Sequence, residues 1–223
     1  MADIGFAKWA KVRDSMATFF PDIALIPNGC DLDPVPPTPE GERFEKLCAL
    51  KGPILGLVGN LEAKTDVDLL DRLAQERPDY NLVLIGSTHA NAAVMELDRR
   101  PNVHFFGVVT YPEVKAWIAR FDVALVPHLD TDQTRSMHPL KMLVYAAVGV
   151  PIVSTRVQNL GDFAPYIEVA DSHEAFLEAV DGMLNGDRCH DKPALAALVQ
   201  EHSWDGRVAS MLSQVQARLP TSA

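Results

Sequence analysis

Short apolar runs recur along the chain, each set off by turn residues. The run at 23–26 ends at Pro27-Asn28-Gly29, that at 54–58 at Gly59-Asn60, and that at 82–85 at Gly86. The runs at 103–106 and 123–126 end at Gly107 and Pro127, and the run at 152–154 follows Gly149 and Pro151. Continuous, β-branched runs bounded this way predict strands covered on both faces, as in parallel sheets. Between them the apolar spacing turns helical. Leu69, Leu70, Leu73 and Ala74 mark one helix, and Val114, Trp117, Ile118 and Phe121 mark another, with Thr110 and Glu113 as a capping box and Pro112 in its first turn. Leu140, Leu143 and Ala147 mark a third, stopped by Gly149 and Pro151. Asp171 with Glu174 is positioned to cap a helix carrying Phe176, Leu177, Val180 and Leu184, and Val208, Met211, Leu212 and Val215 mark the last.

Repeated strand–helix–strand units predict an α/β fold: a Rossmann-like, doubly wound parallel sheet of about six strands with helices on both faces. A modest helical pattern through Phe6, Trp9, Ala10, Val12 and Met16 makes 1–20 a helical segment ahead of the main domain at 21–186, with C-terminal helices at 187–223. The proline-rich stretch 31–40 reads as a linker or an exposed loop.

Composition narrows the partners. The 223 residues carry a net charge of −10, which repels nucleic acid and anionic lipid but leaves room for a small anion in a locally basic pocket. Cys30, Cys48 and Cys189 have no metal-like spacing and fit a reducing compartment. With no signal peptide and no apolar run of membrane length, a cytoplasmic protein with no transmembrane segment is expected.

Sheets of this kind bind ligands beyond the carboxyl ends of their strands. Three segments there carry candidate chemistry. In the loop 59–64, Gly59 permits close backbone approach and Lys64 can neutralise a phosphate, with Asn60 between them; a tight turn with a solvated lysine is the plainer alternative. The segment Thr134, Arg135, Ser136, Met137, His138, Pro139, Leu140, Lys141 opens a helix, whose amides with Arg135 and Lys141 can cradle a diphosphate; ordinary capping would look the same. Around Phe106, Gly107 and Val108 a base can meet the strand end, although the phenylalanine rings also suit the core. His104, His128 and His138 sit near these loops but form no triad spacing, and each is read as a surface or packed histidine. Asp130 and Asp132 are read as solvated carboxylates.

Together the segments resemble the C-terminal, donor-binding domain of GT-B glycosyltransferases of the glycosyltransferase family 4 kind. The resemblance runs over about 23–184 and is carried by Ile26-Pro27-Asn28-Gly29-Cys30-Asp31, by Gly56-Leu57-Val58-Gly59-Asn60-Leu61 with Lys64, by Leu84-Ile85-Gly86, by Pro101 to Gly107, by Phe121 to Pro127 and by Pro139-Leu140-Lys141 through Tyr145-Ala146-Ala147 to Thr155. It implies a nucleotide-diphosphate sugar donor, UDP- or GDP-linked. Gly59 and Lys64 would face the diphosphate, Phe106–Val108 the base, and Thr134 to Lys141 (with Ser136, His138, Pro139 and Leu140) the phosphates and sugar. It implies no bound metal or other cofactor, and transfer of a glycosyl group to an acceptor held by an N-terminal domain missing here.

Two departures stand out. The family's ribose-binding glutamate falls at Val144 and its partner glutamate at Ser136, and many members have arginine at Asn60. They leave open a non-catalytic interaction module, or half of a sugar-nucleotide epimerase.

Overall fold

A computed structural model of the chain describes residues 4–61, 63–89, 91–135, 140–156, 160–188 and 191–218. Among them, six parallel strands form one sheet: β3 (Ile54–Val58), β4 (Asn81–Ile85), β5 (Val103–Gly107), β6 (Val123–Val126), β7 (Ile152–Thr155) and β8 (Glu168–Ala170), in the order β5-β4-β3-β6-β7-β8. Strand neighbours run outward from β3 on one side and from β6 on the other, so the order reverses between those two.

The continuous apolar runs are explained by burial on both sides. Residues of alternating parity feed two cores: Ile54, Val83, Ile85, Ala124, Val126 and Ile152 one, Leu55, Leu57, Leu82, Leu84, Val123, Leu125 and Val153 the other. The first core takes residues from α2 (Glu42–Ala49), α5 (Tyr111–Ile118), α7 (Leu140–Val148) and α9 (Lys192–Glu201). The second takes α3 (Val67–Glu76), α4 (Ala92–Met95) and α8 (His173–Asn185). Gly56 is required where it stands, because a Cβ there would lie 2.1 Å from the Phe121 ring.

Four details differ from expectation. The run at 23–26 is not in this sheet: β2 (Ile23–Leu25) pairs with β1 (Gly5–Ala7), a strand inside the segment read as helical, ahead of α1 (Ala10–Met16). Leu25 and Phe6 stay exposed, so the pair lacks the two-sided cover that makes a central strand. The sixth strand is β8, whose Glu-Val-Ala sequence buries only its alanine, as suits an edge. Ser172, not Asp171, caps α8, accepting the Ala175 N–H at 3.1 Å, while Asp171 pairs with Arg156. The apolar face of α10 (Trp204–Gln216) buries none of its residues; Val208 and Leu212 are exposed.

Elsewhere the local chemistry is as written in the chain. Asp66 caps α3 through the Leu69 N–H at 2.9 Å. Thr110, by contrast, makes no backbone cap at the start of α5; instead of the expected capping box, its hydroxyl donates to the Glu113 carboxylate at 2.8 Å. The 31–40 stretch is anchored as a loop, because the buried Lys115 ammonium donates to the Asp31 and Asp33 carbonyls. No helix among the described residues is long and apolar enough to cross a membrane.

Candidate functional site

The strand order reverses between β3 and β6, and sheets of this kind take ligands at the carboxyl ends of the strands beside such a reversal. The floor there is built by backbone. At the end of β3 the chain turns through Gly59 with φ at 118°, a conformation that favours glycine. Gly86, at the end of β4, packs so closely on this turn that a Cβ there would lie 1.9 Å from the Gly59 carbonyl oxygen. The loop then zips onto the end of β6: the Asp66 N–H donates to Pro127 O and the Leu129 N–H to Lys64 O, both at 2.8 Å. This register sets Lys64 beside His128.

The third wall is α7. Tyr145, fully buried, accepts the Val58 N–H on its hydroxyl at 2.8 Å and ties the helix to the end of β3; burial raises its phenol pKa above the ordinary value. The preceding turn of α7 brings Lys141 over Gly59, with its Nζ 3.8 Å from where a Gly59 Cβ would sit. Gly59 and Lys141, apart in sequence, thus meet at the carboxyl end of β3, and Lys64 lies in the loop joined to the end of β6. Both lysine charges act on His128, which is 3% exposed and has its pKa lowered to about 3 by burial first, then by Lys141 and Lys64. It is neutral at pH 7.

The remaining expected residues divide. Asn60 is exposed beside Gly59. Thr134 lies in α6 (Asp132–Arg135); it is buried and spends its hydroxyl locally, donating to Leu129 O at 2.6 Å and accepting from the Thr131 N–H at 2.9 Å. Val144 is half-buried against the core, and Leu140 is exposed. The Arg135 side chain and Ser136, His138 and Pro139 lie outside the described residues.

Phe106, Gly107 and Val108 stand at the end of β5, on the edge of the sheet. The Phe106 ring packs edge-on to Trp117, with centroids 5.5 Å apart. Gly107 O accepts the Gly86 N–H at 2.8 Å. Arg43, from α2, donates to the Phe106 and Val108 carbonyls. Arg43 thus lies at the strand end where the resemblance implies a base. No signal in the sequence singles out Arg43.

A cavity of about 420 Å³ adjoins His128 on the side of β7 and β8, lined by Asp66, Asp130, Thr155, Arg156, Asp171 and His173 among others. Thr155 fixes the His128 backbone, accepting its N–H at 2.9 Å and donating to its carbonyl at 2.7 Å. His173 Nε2 meets Asp66 Oδ2 at 2.8 Å. Among the described residues no cluster of three or more metal-type ligands occurs. The site His128 occupies was visible in sequence as the second residue after a strand, but its burial and the two lysine charges acting on it were not.

The sequence pattern of the family described as glycosyl transferases group 1 matches residues 52–186. A putative teichuronic acid biosynthesis glycosyltransferase, TuaH, of Bacillus subtilis strain 168 is 27% identical over 148 residues, 63% of this chain and 37% of that protein. Among solved structures, Anabaena Alr3699/HepE in complex with UDP-glucose superposes with a TM-score of 0.73 at 12% identity, over 97% of this chain and 64% of that one. The apo lipopolysaccharide outer core galactosyltransferase WaaB gives a TM-score of 0.66 at 16% identity, over 98% and 63%. These structural likenesses show a shared fold, and the chain spans less than two thirds of each of these three proteins.

Proposed function

The chain belongs to the glycosyl transferases group 1 family, and from that premise we propose that it is the donor-binding part of a glycosyltransferase. Its ligand is a nucleotide-diphosphate sugar, with the diphosphate in the crevice between β3 and β6. The observation that carries this is the meeting of Gly59 and Lys141 at the end of β3, with Lys64 and Lys141 both acting on His128. Two ammonium groups and glycine backbone favour a dianion that must also leave as the glycosyl bond breaks. On this reading the leaving diphosphate is neutralised by side chains and helix amides, and a bound metal has no part in it. UDP is favoured over GDP because HepE is described with UDP-glucose.

Acceptor recognition and completion of the reaction we assign to a second domain outside these 223 residues, and the location to the cytoplasm. The sugar transferred and the acceptor belong to that larger enzyme; involvement in a cell-envelope polysaccharide is favoured by the description of TuaH.

A second reading has one observation in its favour. Val144, where the resemblance calls for a ribose-binding glutamate, packs against the core, as expected of a domain that has given up donor binding for an assembly role.

Calorimetric titration of the chain with UDP and with GDP tests the first reading. Saturable binding of one of them, weakened in Lys64→Ala and in Arg135→Ala, is expected. Heats at the level of buffer dilution for both nucleotides at millimolar concentration would reject it in favour of the second.

A further inference from the structure

We propose that His202 is an acid-sensitive lock on the joint between the six-stranded sheet domain and the unit made of β1, β2, α1 and α10, its ring holding Arg207 when neutral and Asp162 when protonated. This device is independent of what the sheet domain binds.

Little of that unit is buried. α1 and α10 bury none of their residues, and β1 and β2 form a sheet of their own. Its two ends are tied together, because Arg218, just past α10, donates to both oxygens of Asp22, ahead of β2, at 2.5 and 2.7 Å. The unit joins the sheet domain where the chain crosses at 26–30 and again at 202–204, and the two crossings are stitched to each other. The Cys30 N–H donates to His202 O at 2.9 Å and the Trp204 N–H to Cys30 O at 3.1 Å. A Cβ on Gly29 would lie 2.8 Å from the Trp204 ring. Beside the crossings lies a cavity of about 230 Å³, lined by Lys8 and Leu25 of the unit and by Asp162, Phe163 and His202 of the sheet domain.

His202 closes this joint with its ring. The side chain is 14% exposed and stands edge-on to Phe163, with centroids 4.9 Å apart. Nδ1 accepts from the guanidinium of Arg207, in the first turn of α10. Arginine has no acceptor, so Nδ1 is the bare nitrogen and the proton of the neutral ring is on Nε2. That nitrogen lies 3.3 Å from Asp162 Oδ2, in the short 3-10 helix Gly161–Tyr166. A solvent proton added to Nδ1 turns the acceptor into a donor. The bond from Arg207 is lost, two like charges face each other, and the imidazolium pairs with Asp162 instead. Arg207 then has a charge to rehydrate, with its Nε already buried and without a partner among the described residues, and the first turn of α10 follows it out.

The surrounding groups set the sign. Burial first and Arg207 next lower the His202 pKa, against Asp162 and Glu201, which raise it. Lys8 lines the same cavity, and the Cys30 thiol, kept uncharged at pH 7 by burial, donates to the His202 carbonyl. With the folded pKa below the ordinary 6.5, the lock is closed at pH 7; its contribution is complete above about pH 6.5 and is lost as the pH falls through the folded value.

The test is nuclear magnetic resonance of the isotope-labelled full chain from pH 7.5 to 4, following the His202 ring nitrogens and the amide exchange of α10, corrected for the pH dependence of exchange chemistry. At pH 7.5 the ring is expected as the Nε2–H tautomer. Across its titration, protection in α10 is expected to fall about tenfold, as for one charge-assisted bond, with a midpoint matching that of the ring. His202→Gln keeps an acceptor and a donor without titrating, and is expected to hold α10 protected throughout. Asp162→Asn, at a mostly exposed side chain, removes the partner of the protonated ring and is expected to move both midpoints together to lower pH. An Nδ1–H tautomer at pH 7.5, a ring still neutral at pH 4, α10 protection that stays level through the ring titration, or a pH response that survives in His202→Gln each overturns the lock. If His202→Gln does not fold, Asp162→Asn decides alone: a ring midpoint that moves while the α10 midpoint stays rejects the proposal.

Discussion

Replacing Lys141 by alanine removes the cation that α7 holds over the Gly59 turn, where its Nζ lies 3.8 Å from a Cβ position on that glycine. A charge-assisted hydrogen bond contributes about 1.5–3 kcal/mol. Lys141 is half-buried, so solvent screens part of its charge and the lower half of the range applies. At about 1.4 kcal/mol per decade, that is roughly a tenfold to fortyfold rise in Kd for UDP. The measurement is calorimetry at low and moderate salt, with Lys141→Arg as the variant that keeps the charge. A second readout shows whether the substitution acted electrostatically. Lys141 is one of the groups that hold the His128 pKa near 3, so its removal raises that pKa, followed by the ring resonances during a pH titration. If the His128 pKa climbs while the Kd for UDP stays within twofold, the crevice between β3 and β6 does not hold the diphosphate.

Other outcomes follow from the same site. His128 has a folded pKa of about 3 against an ordinary 6.5, so the unfolded chain takes up its proton first as the solution is acidified. Its stabilising effect is therefore complete above about pH 6.5 and is lost toward pH 3, at a rate approaching 1.4 kcal/mol per pH unit; denaturant melts at pH 7 and 5 are expected to show that slope in the native chain and a shallower one in His128→Asn. Tyr145→Phe leaves the Val58 N–H without its partner, at about 1–3 kcal/mol and a few degrees of Tm; an unchanged melting temperature would mean that this bond does not secure α7. Val144→Glu restores the acidic group that the resemblance expects. About a tenfold gain in UDP affinity is expected from it, and no gain in a folded variant favours the non-catalytic assembly reading.

How much of this was readable beforehand depends on whether neighbours in sequence or neighbours in space decide each feature. The central strands declared themselves because burial on both faces demands unbroken apolar runs, as at 54–58 and 123–126. The start of α5 is legible from Pro112 in its first turn and the apolar spacing that follows, which are local properties. Where two local solutions compete, the sequence is ambiguous: Asp171 and Ser172 stand side by side, and in the structure Ser172 caps α8 while Asp171 pairs with Arg156. Edge elements were misjudged for the opposite reason. The Glu-Val-Ala of β8 needs little hydrophobicity to complete a sheet edge, while the apolar run at 23–26 pairs with β1 instead of entering the sheet.

The candidate site shows the same division. Glycine after β3, a lysine in the next loop and another opening α7 could be picked out along the chain because residue type and position after a strand are local properties. That Lys141 reaches over Gly59, that a buried His128 feels the charges of both Lys64 and Lys141, and that Arg43 covers the carbonyls at the end of β5 are decided by how α7, β6 and α2 pack on the sheet. The amino-acid order by itself determined the alternation of strands and helices, since a few residues suffice to choose a backbone period. The tertiary structure alone determined which charges share a hollow, because electrostatic and packing energies depend on separation in space, and a parallel sheet brings together residues from distant parts of the chain.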